Sequence, residues 1–126
     1  MKRKSLIDKI QKRRNKMGIS IDNLAKLSQV GRRTIQRFLS DQDVNFSVVE
    51  KITNTLGLDF SGNETVNIKT LKKQRARDKA LILTSIIQST SALENQGLDK
   101  KEINSLFKEI ESELLHGKYK KNLWVK

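Results

Sequence analysis

The stretch Ser20–Leu39, SIDNLAKLSQVGRRTIQRFL, decides how the rest of the chain is read. It has the pattern of two short helices joined by a tight turn. Ser20 is placed to cap the first, its hydroxyl accepting from an otherwise unpaired amide of the opening turn. Leu24 and Leu27 recur at the spacing of an inward face, and Ala25 between them leaves room for a second helix to cross closely. Val30 plugs the turn. Ile35, Phe38 and Leu39 then repeat as the buried face of the second helix. Its opposite face carries Arg32, Arg33, Thr34, Gln36 and Arg37. A short helix with an apolar back and an arginine- and amide-rich front suits a DNA major groove.

Composition agrees with a polyanionic partner. The 126 residues include 26 Lys and Arg against 14 Asp and Glu, a formal net charge of +12 that both halves share. Such an excess favours phosphate contact through counterion release, though by itself it also describes a well-solvated small protein. The length allows one domain, or a small domain with an appended module. There is no Cys, which excludes disulfides and thiolate metal sites, and the single His116 does not build a metal site alone. No cofactor is implied. An enzyme is not expected, because there is no glycine-rich phosphate loop and no pair of acids in an apolar setting. No apolar run approaches a membrane span and no secretory leader precedes the first charges, so the chain is read as a cytoplasmic, bacterial, nucleoid-associated protein.

Outward from the central stretch, residues 1–4 form a short basic arm. Ser5-Leu6-Ile7-Asp8 has capping-box form and opens a helix with Ile7, Ile10 and Met17 inward and Lys9, Lys12, Arg13, Arg14 and Lys16 outward. Gly18 ends it in a left-handed conformation. Beyond the polar link 41–45, Ser47-Val48-Val49-Glu50 reads as a second capping box. It opens a helix with Val49, Ile52 and Leu56 inward, closed by Gly57, after which Leu58 and Phe60 fold back on the core. Four helices so arranged resemble the Xre-type (Cro and phage-repressor) helix-turn-helix family over Leu6 to Phe60. The resemblance implies a dimer on a two-fold double-stranded DNA operator; the bidentate geometry of guanidinium and amide groups points Arg33, Gln36 and Arg37 toward base edges, and Arg32 and Thr34, near the helix start, toward phosphates. Three positions depart from the family pattern. Gln29 stands where the turn usually has glycine, Ile21 where a DNA-contacting glutamine is frequent, and Gly31 where a capping serine is common.

The expected organisation is therefore all-α, with a four-helix DNA-binding domain at 1–60, a linker at 61–68 and a helical interaction module at 69–126. The linker is polar and aperiodic. The module begins with the basic cluster Lys69, Lys72, Lys73, Arg75, Arg77 and Lys79. A stripe at Leu83, Ile86, Ile87, Thr90 and Leu93 follows, and Gly97 ends that helix. A third cap at Asp99 starts a helix with Ile103, Leu106, Phe107, Ile110 and Leu114 inward, ended by Gly117, so that the two form a hairpin. The tail, 118–124, holds the only Tyr and the only Trp, and is expected to pack back onto a helix.

One short pattern points further. Thr90-Ser-Ala-Leu-Glu94-Asn95 fits Ser/Thr, three residues, Glu, then Gly/Asn, with Thr90 and Glu94 on one helix face. It resembles the inhibitory-helix motif of Fic proteins, which transfer AMP from ATP to protein hydroxyls. The run from Gln74 to Trp124 also resembles the end of the mobile mystery protein A regulators, helix-turn-helix proteins typically encoded beside a Fic-domain protein. The resemblance implies an antitoxin for a Fic-type toxin, with Thr90, Glu94 and Asn95 at the inhibitory site. Glu94 would pair with the toxin arginine that otherwise holds the terminal phosphate of ATP, a competition for the same charge and geometry. Two rivals share much of the pattern: a plain repressor whose C-terminal hairpin only dimerises, and an antitoxin of an unrelated toxin. In either, Glu94 is an ordinary carboxylate before a turn.

Overall fold

The computed structural model describes residues 3–93 and 99–126, with the side chains of 91–93 set apart. It is all-α. In order, α1 is Arg3–Met17, α2 Ile21–Ser28, α3 Arg32–Leu39, α4 Phe46–Thr55, α5 Ile68–Leu93 and α6 Lys100–Leu115, and a 3-10 turn follows at Lys120–Asn122. The chain divides into two compact units, Met1–Leu71 with Trp124–Lys126, and Lys72–Leu123.

The first unit is built on α1–α4. Ile10, Ile19, Leu24, Ile35, Phe38 and Ile52 are almost wholly buried, so every helix of the unit contributes to one core. The basic arm expected at 1–4 is already helical at Arg3, which pairs with Asp41 at 2.7 Å and with Asp43. Ser5 therefore lies inside α1 and caps nothing. Ser47 likewise lies inside α4, whose N-cap is Asn45 with no side-chain bond. Gly18 (φ 73°) and Gly57 (φ 69°) adopt the left-handed conformation expected of helix stops. At Gly57 space matters too, because a Cβ there would meet Leu71 Cδ1 at 2.8 Å.

Arg13 corrects the outward reading of α1. It is buried, its Nε donating to the Leu56 carbonyl at 2.8 Å, its Nη2 to the Val66 carbonyl, and its Nη1 pairing with Glu64 at 3.2 Å. The guanidinium thus satisfies the end of α4 and the chain beyond it, where helix carbonyls lack partners. Residues 59–66 are tied down: Asp59 Oδ1 accepts from the amides of Ser61 and Asn63, both at 2.9 Å, and Leu58 pairs with Glu64 in an isolated bridge. Leu58 is buried as expected, but Phe60 is not. It stacks on Phe46 in solvent, ring centroids 4.2 Å apart. Trp124 packs as the tail reading expected, its Nε1 donating to the Met17 carbonyl at 2.9 Å, whereas Tyr119 stays exposed.

In the second unit, Asp99 caps α6 by accepting from the Glu102 amide at 2.8 Å. Leu114 and Leu123 are buried, and Arg75 Nε donates to the Leu123 carbonyl at 3.0 Å. Gly117 follows α6 without a left-handed φ; a Cβ there would run into Glu113. The stripe read on α5 is left uncovered. Ala76, Ala80 and Thr84 are buried instead, and Leu83, Ile86, Ile87 and Thr90 lie in solvent. The buried side of α5 is the one that carries the small residues Ala76, Ala80 and Thr84. Gly97 lies outside the described residues.

Candidate nucleic-acid interface

The central stretch folds as two helices and a turn, each part with a local cause. Ser20 Oγ accepts from the Asn23 amide at 3.1 Å, capping α2. Gln29 takes the left-handed conformation (φ 59°, ψ 37°) and closes α2, while the Val30 amide donates to the Ala25 carbonyl at 3.1 Å. The turn keeps its geometry without glycine, at a cost of about 1 kcal/mol. Gly31 caps α3 with backbone alone. Val30 is buried in the turn, and Ile35 and Phe38 anchor α3 to the core, so the face opposite them is held outward.

That face carries Arg32, Arg33, Gln36 and Arg37, all exposed, with Thr34 half-buried beside them. Arg33 and Gln36 have no side-chain partner among the described residues. Their guanidinium and amide groups match bidentate bonding, the guanidinium donating to guanine O6 and N7, the amide donating to adenine N7 and accepting from its N6. Arg37 Nε donates to Gln42 Oε1 at 3.2 Å, which orients the guanidinium from the far end of the helix. Arg32 Nη1 pairs with Asp22 Oδ1 at 3.0 Å, and both side chains are more than half exposed. A pair so exposed holds little energy, and a phosphate can displace the aspartate. Sequence reading did not identify this tie between α2 and α3, although Asp22 in the first turn of α2 is a residue type favoured there.

Of the other predicted site, Thr90 lies on α5. Thr90 is exposed, and its hydroxyl donates to the Ile86 carbonyl at 3.0 Å. Glu94 and Asn95 lie outside the described residues. Among the described residues no cluster of His, Cys, Asp or Glu could hold a metal ion, and no helix is long and apolar enough to cross a membrane.

Residues 10–63 match the family model described as helix-turn-helix, so this segment is a helix-turn-helix domain of the Xre type. The match supports a DNA-binding transcriptional regulator, in a family of DNA-binding rather than catalytic proteins. Comparison with curated proteins and with solved structures returned no match.

Proposed function

We propose that the protein regulates a toxin–antitoxin operon, binding its operator through α3 and restraining a Fic-type AMP-transferring toxin through residues 90–95. The DNA half of the reading is carried by one observation. The basic and amide face of α3 stands clear of the core that its other face fills. Arg33, Gln36 and Arg37 are assigned to base edges, and Arg32 and Thr34 to phosphates. The complex on DNA is a homodimer on a two-fold site. Residues 1–60 bind DNA, 61–68 connect, and 69–126 dock the toxin. The protein acts in the cytoplasm, on the nucleoid, and represses its own operon.

The antitoxin half is supported by the sequence Thr90–Asn95 and by the exposure of Thr90 on the last turns of α5. Presented to an arginine that binds the terminal phosphate of ATP, the Glu94 carboxylate forms a charge-assisted pair and leaves no room for productive nucleotide binding. A second reading, a repressor whose C-terminal helices only dimerise, is favoured by the aliphatic side chains that α5 leaves in solvent.

The test expresses the neighbouring reading frame alone, with this chain, and with its Glu94→Gly variant, following growth and protein AMPylation. The wild type is expected to restore growth, and the variant to remain bound to its partner while AMPylation returns. Equal neutralisation by both forms, or a harmless neighbour, would remove Glu94 from the mechanism and leave the plain repressor.

A further inference from the structure

The second unit holds a cavity of about 460 Å³, enclosed by α5, α6 and the segment that follows α6. Its floor is aliphatic, with Leu83 from α5 and Leu106, Ile110 and Leu114 from α6. The α6 wall carries Glu109 and Glu113, one turn apart on one face, with roughly 6 Å between their Cβ atoms. Neither carboxylate forms an ion pair among the described residues, in a chain with 26 Lys and Arg against 14 Asp and Glu. Glu113 Oε2 accepts from the Lys118 amide at 3.3 Å. The cations nearby are engaged elsewhere. Lys79, on the α5 wall, donates to the Asn122 carbonyl at 2.5 Å. The Lys118 ammonium stands over the ring of Tyr119, 5.4 Å from its centroid.

We propose that this cavity binds an amphiphilic organic cation, a compact apolar or aromatic body bearing one positive charge. Size selects a small molecule, because the volume falls within the roughly 300–1,000 Å³ of pockets that enclose one. The floor selects an apolar body, since contact between the two removes both surfaces from water. Charge selects the cation. An anion would meet two carboxylates of its own sign, whereas a cation seated at the α6 wall is attracted by both. Tyr119 adds to the lining a ring of the kind that attracts cations, as the position of Lys118 over it illustrates. A bare metal ion fits poorly. Among the described residues no three of His, Cys, Asp or Glu gather to hold one, and an aliphatic floor supplies no oxygen ligands. The inference goes beyond the DNA-binding and antitoxin readings and depends on neither.

Isothermal titration of the full chain with tetraphenylphosphonium and with tetraphenylborate tests this. The two ions share size and shape and differ in the sign of their charge. A net charge of +12 by itself favours the borate, so preference for the phosphonium has to come from a local site. One phosphonium is expected per chain, with Kd on the order of 10–100 µM and about tenfold or more tighter than the borate. The double substitution Glu109→Gln and Glu113→Gln keeps the shape of both side chains. It is expected to weaken the phosphonium about tenfold and to strengthen the borate. Leu106→Trp fills the floor and is expected to weaken both ions. Unchanged circular dichroism checks that the variants fold, and the glutamine pair decides the matter alone if Leu106→Trp does not. Preference for the borate, uptake of several phosphonium ions, or affinity indifferent to the glutamines would overturn the proposal. So would a cavity that takes neither ion, including one filled by the basic segment of a co-expressed protein. DNA binding by the same sample, measured without either ion, keeps the readings distinct. A chain that binds DNA but not the phosphonium removes the cation site and leaves the regulator, and the opposite result does the reverse.

Discussion

Two residues of the first unit make opposite contributions to stability. Arg13 spends its guanidinium on the Leu56 and Val66 carbonyls and on Glu64. Arg13→Met keeps the stem but leaves those carbonyls without their donor, so it is expected to cost about 2–4 kcal/mol. Urea unfolding at an unchanged slope is the measurement. Arg13→Lys should recover little, since a compact ammonium does not reproduce a planar fork. Gln29 holds a left-handed conformation that an L side chain resists. Gln29→Gly is expected to stabilise by about 1 kcal/mol in the same experiment. If it destabilises instead, the Gln29 side chain makes a contribution that outweighs the strain. Both positions were partly legible. Gln29 stood in a turn whose geometry was expected, and the turn proved to have it. Arg13 shares its face with Ile10 and Met17 by spacing, yet its residue type argued for solvent. Its partners, the carbonyls of Leu56 and Val66, are more than forty residues away in sequence.

Among the elements, caps and stripes were readable where local chemistry decides them. Ser20 and Asp99 cap their helices because a side-chain acceptor sits three residues before an unpaired amide. Ser5 and Ser47 offer the same local pattern but lie inside helices that begin upstream, at Arg3 and Phe46. On α5 the period gave the helix but not its buried side. Periodicity reports an apolar arc, and only the packed neighbour decides which part of a wide arc is covered. Burial of Ala76 and Ala80 makes a further expectation. Ala80→Leu should destabilise by about 1–3 kcal/mol through overpacking, whereas Leu81→Ala on exposed surface should stay within about 0.5 kcal/mol. Thermal melts followed by circular dichroism separate the two. The tail offers its own probe, because Trp124 is the only Trp and is buried with its indole nitrogen bonded to Met17. Trp124→Ala is expected to cost about 3–5 kcal/mol, the range of a buried aromatic truncation. In the wild type, the red shift of its emission should track unfolding of the first unit.

For the molecule as a whole, a net charge of +12 guarantees some affinity for any polyanion, so affinity alone does not establish a regulator. In the proposed reading specificity comes from α3, where Arg33, Gln36 and Arg37 are exposed in the domain matched at residues 10–63. The two helices and their turn were legible from one twenty-residue stretch because caps and spacing are local, whereas the core they pack on also draws on Ile10, Ile19 and Ile52 outside it. The inhibitory motif was legible only as a pattern, since Glu94 and Asn95 fall outside the described residues. The most direct test measures binding to the DNA upstream of the protein's own reading frame and to a shuffled duplex of equal length, over a series of salt concentrations. The wild type should prefer the upstream duplex at every salt. Arg33→Ala and Gln36→Ala should each lose about 1–3 kcal/mol there and little on the shuffled duplex. Arg32→Ala should weaken both equally and flatten the salt slope. Equal affinity for the two duplexes, with every arginine variant losing the same amount on each, would contradict sequence recognition by α3 and leave a general polycation.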